Sequence, residues 1–177
     1  MKIALLVVCL ACLRISAAQT SPNVQRSFCG DDAPYDLRLK PTPLPHSVLT
    51  VLMNTKEAKD VQRWAKNDKK SLDMASLFRG VEVRLGAAPD DTFLVIGKSP
   101  MSGADNTWFW LVRKSGEKAT ILLWAGVNCL YIGKESNAGL NDIQTTWASA
   151  SETITDSYSF DGIRYKMTKT KRQPVTR

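Results

Sequence analysis

"TWFWLVRKSGEKATILLWAG", Thr107 to Gly126, is the stretch that decides the fold. Its first eight residues read as a strand with Trp108 and Trp110 on one face and Phe109 and Leu111 on the other. Ser115-Gly116-Glu117-Lys118 then turns the chain, and a second apolar run, Ala119 to Gly126, comes back beside the first. Two strand patterns joined by so short a turn form a hairpin, which makes the pairing antiparallel.

The same two-residue period extends both ways. Upstream, "VEVRL" places Val81, Val83 and Leu85 on one face, with Glu82 and Arg84 on the other. "TFLVIGK", Thr92 to Lys98, is a short unbroken apolar run of the kind that is buried on both faces. Downstream come "CLYIGK" from Cys129, the turn "NAGLND" from Asn137 and "IQTTWASASETITDSYSF" from Ile143. The last reads as one long segment with a bulge or an edge at its serines and alanines. "YSFDGIRYKM", Tyr158 to Met167, reads as a two-residue Asp-Gly hairpin with Phe160 opposite Ile163. Tyr158, Phe160, Ile163, Tyr165 and Met167 would then share the core face, with Met167 the last packed residue.

Before Val81 the period is helical. Ser47 to Met53 is an apolar run, and "NTKEAKDVQRWAKNDKK" begins with Asn54 and Glu57 at capping-box spacing. Ala58, Val61, Trp64 and Ala65 follow on one stripe, with Trp64 as its core anchor. "SLDMASLF" adds one further turn. Helices first and about seven strands after argue for α+β: N-terminal helices packed on a mostly antiparallel sheet, with a curled half-barrel as the alternative.

The domain is residues 47–168. Residues 1–18 read as a secretory signal peptide: Lys2, an apolar run from Ile3 to Leu13, then Ser16-Ala17-Ala18 before the cleavage point. That run is shorter than the roughly 20 residues needed to span a bilayer, so the protein is expected not to be transmembrane. A lipoprotein would need Cys9 or Cys12 as its acylated residue, and neither follows a small-residue box. Residues 19–46 read as an arm, and its stretch from Arg26 to His46 holds four of the eight prolines. Residues 169–177 read as a basic, flexible tail.

Cleavage removes Cys9 and Cys12 and leaves Cys29 and Cys129. In an oxidising compartment two cysteines most often pair, and the alternative is two buried thiols. Loss of Lys2 and Arg14 lowers the formal charge from +7 to +5. Part of that excess is the acid-free end from Lys166, which would be drawn to an anionic envelope surface. Elsewhere the charge is mixed in sign, so nucleic acid is not indicated.

The chemistry roster is thin. His46 is the one histidine and stands beside Pro45, which leaves no general base for a serine or cysteine nucleophile. No zinc-ligand spacing, phosphate loop or dinucleotide fingerprint is present, so no metal and no cofactor is implied. Asp91, Asp105 and Asp142 lie in or beside loops, where two could face each other for glycosidase-type work. Asp also favours such sites because it caps its own turn.

"MSGADNTWFWLVRK", "GLNDIQTTW" and "YSFDGIRYKM" together resemble a family of uncharacterised secreted bacterial proteins. These carry a Gly-aromatic-x-Asp-Ile segment, with Leu140 at the aromatic position here, and close in an aromatic-x-Phe-Asp-Gly-x-x-Tyr hairpin. The resemblance covers roughly residues 81 to 167. It implies export, an envelope location and a mostly antiparallel sheet, and it transfers no catalytic residue.

The function expected is therefore a secreted or periplasmic, non-catalytic binding or interaction domain, of which an inhibitor or immunity-type protein is one form. Its partner would be an envelope protein or a glycan. The contact surface expected is the "SPMSGADN" loop through Ser102, Asp105 and Asn106 with Trp108, joined by the loop from Asn137 to Asp142. The alternative is an envelope polysaccharide hydrolase using two of the loop carboxylates.

Overall fold

In a computed structural model the residues 24–29, 39–86, 91–102 and 106–175 are described. The signal-peptide reading of residues 1–18, Cys9 and Cys12 lies outside them. In chain order the elements are β1 (Val24–Cys29), α1 (His46–Met53), α2 (Lys56–Asn67), a 3-10 turn (Met74–Leu77), β2 (Phe78–Glu82), β3 (Asp91–Gly97) and β4 (Thr107–Ser115). Then follow β5 (Lys118–Val127), β6 (Cys129–Asn137), β7 (Leu140–Ala148), β8 (Glu152–Phe160) and β9 (Tyr165–Pro174). Every ladder among them is antiparallel.

The class is α+β, as the order of patterns implies, but the single sheet of about seven strands is replaced by two sheets. Among the described residues there are nine strands, ordered β2-β3-β4-β5 in one sheet and β1-β6-β7-β8-β9 in the other. The molecule is a three-layer stack. One face of the four-stranded sheet carries Leu94, Ile96, Phe109 and Leu111, which meet Leu130, Ile132 and Ile143 of the five-stranded sheet. Its opposite face carries Phe93, Val95, Trp110 and Val112, which meet Val48 and Leu52 of α1 and Ala58 and Val61 of α2. This explains "TFLVIGK": β3 is apolar on both sides because both sides are covered.

Helix α2 starts one residue later than the capping-box spacing suggests. Thr55 is the N-cap, its Oγ1 accepting from the Ala58 N–H at 3.2 Å, while Asn54 closes α1. Ala58, Val61 and Ala65 are buried, but Trp64 is 41% exposed and carries the Lys70 ammonium over its ring at 4.5 Å. Trp64 is therefore not the core anchor: at 3.6 residues per turn it sits beyond the narrow stripe the small residues define.

Three further readings change at the C-terminal end. The long segment from Ile143 is two strands, β7 and β8, parted at Ser149, whose Oγ accepts from the N–H groups of Ser151 and Glu152. The Asp-Gly hairpin has a four-residue loop, since Phe160 pairs with Tyr165 and Asp161 Oδ1 accepts from the N–H groups of Ile163 and Arg164. Ile163 thus leaves the core face and is 72% exposed, and Met167 is 55% exposed, so Tyr165 is the last buried residue. Finally, the basic tail is strand as far as Pro174, because β8 supplies a full ladder from Glu152 to Phe160.

The described parts of the proline-rich arm, residues 24–29 and 39–46, are likewise joined to the sheets. Strand β1 pairs with β6, and Cys29 is directly opposite Cys129, to which it is disulfide-bonded. Residues 39–45 pack on β2, where Arg79 Nη2 donates to the Leu39 carbonyl, Thr42 bridges Gly80 and a Cβ at Gly80 would meet Leu44 Cδ2.

The two sheets are stitched at one end. The β6–β7 turn hooks onto the chain after β2, with Leu140 bridging Gly86. A Cβ on Gly86 would collide with the Gly139 carbonyl oxygen, so only glycine allows that approach. The turn itself holds Ala138 at φ 46° and Gly139 at φ 87° between the paired Asn137 and Leu140. Alanine is a poor residue for the left-handed region, at a cost of roughly 1–2 kcal/mol. Ala138→Asn is expected to raise stability by about 1 kcal/mol, since asparagine suits the first position of such a turn and Ala138 is exposed. The urea midpoint measures it, and an unchanged or lower midpoint would contradict the conformational reading.

Candidate functional site

The two loops expected to form one contact surface lie at opposite ends of β3. The connection through Ser102 and Asn106 follows the end of β3 at Gly97. The Asn137–Asp142 turn sits against Leu85 and Gly86, beyond the start of β3 at Asp91, through the bridge to Gly86 and the Asn141 N–H donated to the Leu85 carbonyl. A seven-residue strand, about 3.3–3.4 Å per residue, separates them. Both loops are polar because each turns the chain, and neither pattern says which end of a sheet it occupies.

Ser102 bridges Thr107. Asp105 lies outside the described residues, and Asn106 is half-buried beside them. Trp108 is half-buried on the helix-facing side, edge-on to Trp110 with ring centroids 6.2 Å apart. Gly126 leaves it room, since a Cβ there would lie 3.3 Å from Trp108 Cδ1. Asn137 is exposed at the end of β6, and Asp142 is half-buried in β7 with its Oδ1 enclosed and unbonded. Of the other carboxylates proposed for hydrolysis, Asp91 is exposed and reaches Lys114 Nζ at 4.0 Å.

A different surface gathers exposed apolar groups. Between β5 and the β8–β9 hairpin runs an open groove of about 600 Å³, lined by Leu122, Leu123, Trp124, Tyr158, Lys166 and Met167 among others. Both flanking strands end their sheets, β5 in one and β9 in the other. Trp124 is directly opposite Trp110 in register, yet Trp110 is fully buried and Trp124 is 45% exposed, because β5 is an edge. A bulge between Leu111 and Val112 puts Leu122 and Leu123 side by side, both buried. The one sequence signal for this was the consecutive leucines, which break a strict alternation.

The far wall of the groove is rigid. Tyr165 donates its hydroxyl to the Asn141 carbonyl at 2.6 Å and packs against Phe160 with ring centroids 5.6 Å apart. Burial, then the nearby Asp142 charge, pushes its phenol well above the ordinary tyrosine range. Burial also raises Tyr158. At the hairpin tip the Arg164 N–H, the Lys166 ammonium at 2.8 Å and the Ile163 N–H hold the Asp161 carboxyl far below its ordinary 3.8. A depressed carboxylate contributes stability above its unfolded pKa and loses it as pH falls through the folded one. The tip is therefore expected to keep its charged, closed form below pH 3.8 and to open only in stronger acid. A carboxyl-carbon NMR titration of Asp161 checks this, and a midpoint in the normal aspartate range would refute it.

Among the described residues no helix is long and apolar enough to cross a membrane, and no group of three or more His, Cys, Asp or Glu could hold a metal ion. Comparison with known protein families, with curated proteins and with solved structures finds no match to the chain.

Proposed function

We propose that the protein is an exported, non-catalytic interaction domain that binds an acidic, extended segment of an envelope protein in the groove between β5 and β9. The observation that carries this reading is the pairing of Trp124 and Met167, both exposed, with two sheet edges and a basic strand. Exposed aromatic and methionine side chains around one concavity mark contact surfaces. An open edge offers backbone donors and acceptors to a further strand. Strand β9 carries Lys166, Lys169, Lys171 and Arg172 and no acid. Such an edge repels a second copy of itself and attracts a carboxylate-bearing strand. A domain that inhibits or protects an envelope enzyme would use a surface of this kind.

The experiment is capture from envelope extract with three proteins: wild type, Trp124→Ala/Met167→Ala and Lys169→Glu/Lys171→Glu. One partner should be retained by wild type, lost with either variant and weakened by raised salt. No retained partner, or one indifferent to both variants, overturns the proposal. Cleavage of envelope polysaccharide that Asp91→Asn abolishes would establish the hydrolase alternative instead.

A further inference from the structure

A second concavity opens between the sheets, at the end where the β6–β7 turn stitches them together. It encloses about 360 Å³, within the roughly 300–1,000 Å³ of small-molecule sites. Its walls are apolar and polar in an ordered way. Val83, Leu85 and Leu140, all buried, line its apolar part. Thr92, only 5% exposed, adds a hydroxyl-bearing side chain to the lining. Arg26 of β1 and Arg113 of β4 reach it from the two different sheets.

Both guanidinium groups are held by aromatic rings. Arg26 Cζ lies 5.6 Å from the Phe28 ring centroid, and Arg113 Cζ lies 5.5 Å from that of Phe160. Phe28 and Phe160 are core residues, so the rings are fixed. A cation–π contact at this distance orients a guanidinium without using up its N–H donors, which can reach an oxyanion alongside any bond already made. The remaining charged residues on the lining are Glu82, Arg84 and Asp91, and Asp91 is partly neutralised by Lys114. On the described lining three guanidinium groups stand against two carboxylates.

We propose that this cleft binds a small amphipathic anion: a carboxylate or phosphate group clasped by Arg26 and Arg113, with a short apolar body on Val83, Leu85 and Leu140. The site is separate from the β5–β9 groove and does not depend on its function.

The test is isothermal titration calorimetry of the full mature chain with octanoate, octyl phosphate and octylammonium. The two anions should bind and the cation should not, and the preferred anion separates a carboxylate from a phosphate ligand. Arg26→Gln and Arg113→Gln should each weaken anion binding at least tenfold, as charge-assisted hydrogen bonds require. Arg26 is exposed on the end strand of its sheet, so that variant is expected to fold even if Arg113→Gln does not. Trp124→Ala/Met167→Ala should leave anion affinity unchanged, so loss of the protein partner and loss of the anion site are read apart. Equal binding of octylammonium, no anion binding at millimolar concentration, or affinity unaffected by Arg26→Gln overturns the proposal.

Discussion

Trp110→Ala is expected to destabilise the fold by about 3–5 kcal/mol, the cost of removing a large core aromatic that the surroundings cannot fill. For a chain of this size that corresponds to a fall in Tm of about 6–20 °C. Trp110 is fully buried at the centre of the four-stranded sheet and stands edge-on to both Phe78 and Trp108. It shares its core with Phe78, Phe93 and Val95 of the sheet and Val48 and Leu52 of α1, side chains already packed into two layers, so local collapse is limited. Its indole N–H is buried without an acceptor, which makes Trp110→Phe a useful control. That variant loses volume but also removes an unsatisfied donor, and it should cost less than half as much. Urea unfolding of both variants decides the matter: a loss below about 1 kcal/mol for the alanine variant would mean the site collapses freely.

The second large effect concerns the bond between Cys29 and Cys129. The two residues are 100 apart in sequence, and closing a loop of that length is worth about 4–5 kcal/mol in the chain-entropy model. The Cys29→Ser/Cys129→Ser variant is expected to lose about 2–5 kcal/mol, the usual cost of removing a native bridge from a small domain. The measurement is the urea midpoint of the native chain and the variant, each with and without reductant. Reductant should lower the first to the level of the second and leave the second alone. A native chain indifferent to reductant would show that β1 is held by its ladder with β6 alone.

Much of this architecture is legible in the residues. The opposed faces of Trp110 and Leu111 and the doubly buried run from Thr92 follow from period, and the pairing of Cys29 with Cys129 is expected from a leader whose removal would leave only those two cysteines. What could not be read is which sheet a strand joins. Period fixes the face of Leu130 or Ile143 but not whether that face meets a helix or another sheet. Turn chemistry was similarly ambiguous: Asp161 serves a two-residue turn and a four-residue Asx loop equally well, and only the register of Phe160 with Tyr165 separates them. The alternating lysines and threonines of β9 looked like a frayed end because their partner strand, β8, lay hidden in what read as one long segment. The two candidate loops come to lie apart for the same reason that the sheet count differs. Ser102 and Asn137 both sit in polar loops, and their separation is a matter of topology. The groove at Trp124 depends on β5 being an edge, which no local pattern encodes.

Strands β3 and β4 belong to two hydrophobic cores at once, through Leu94 and Phe109 on one side and Phe93 and Trp110 on the other. The four-stranded sheet is thus a party wall between two rooms. Neither room can be vacated without stripping a face of that wall, so the helical layer and the outer sheet have no separate melting of their own. They should stand or fall in one cooperative step, and a disturbance at the inter-sheet cleft has only a single wall to cross before it reaches the helices.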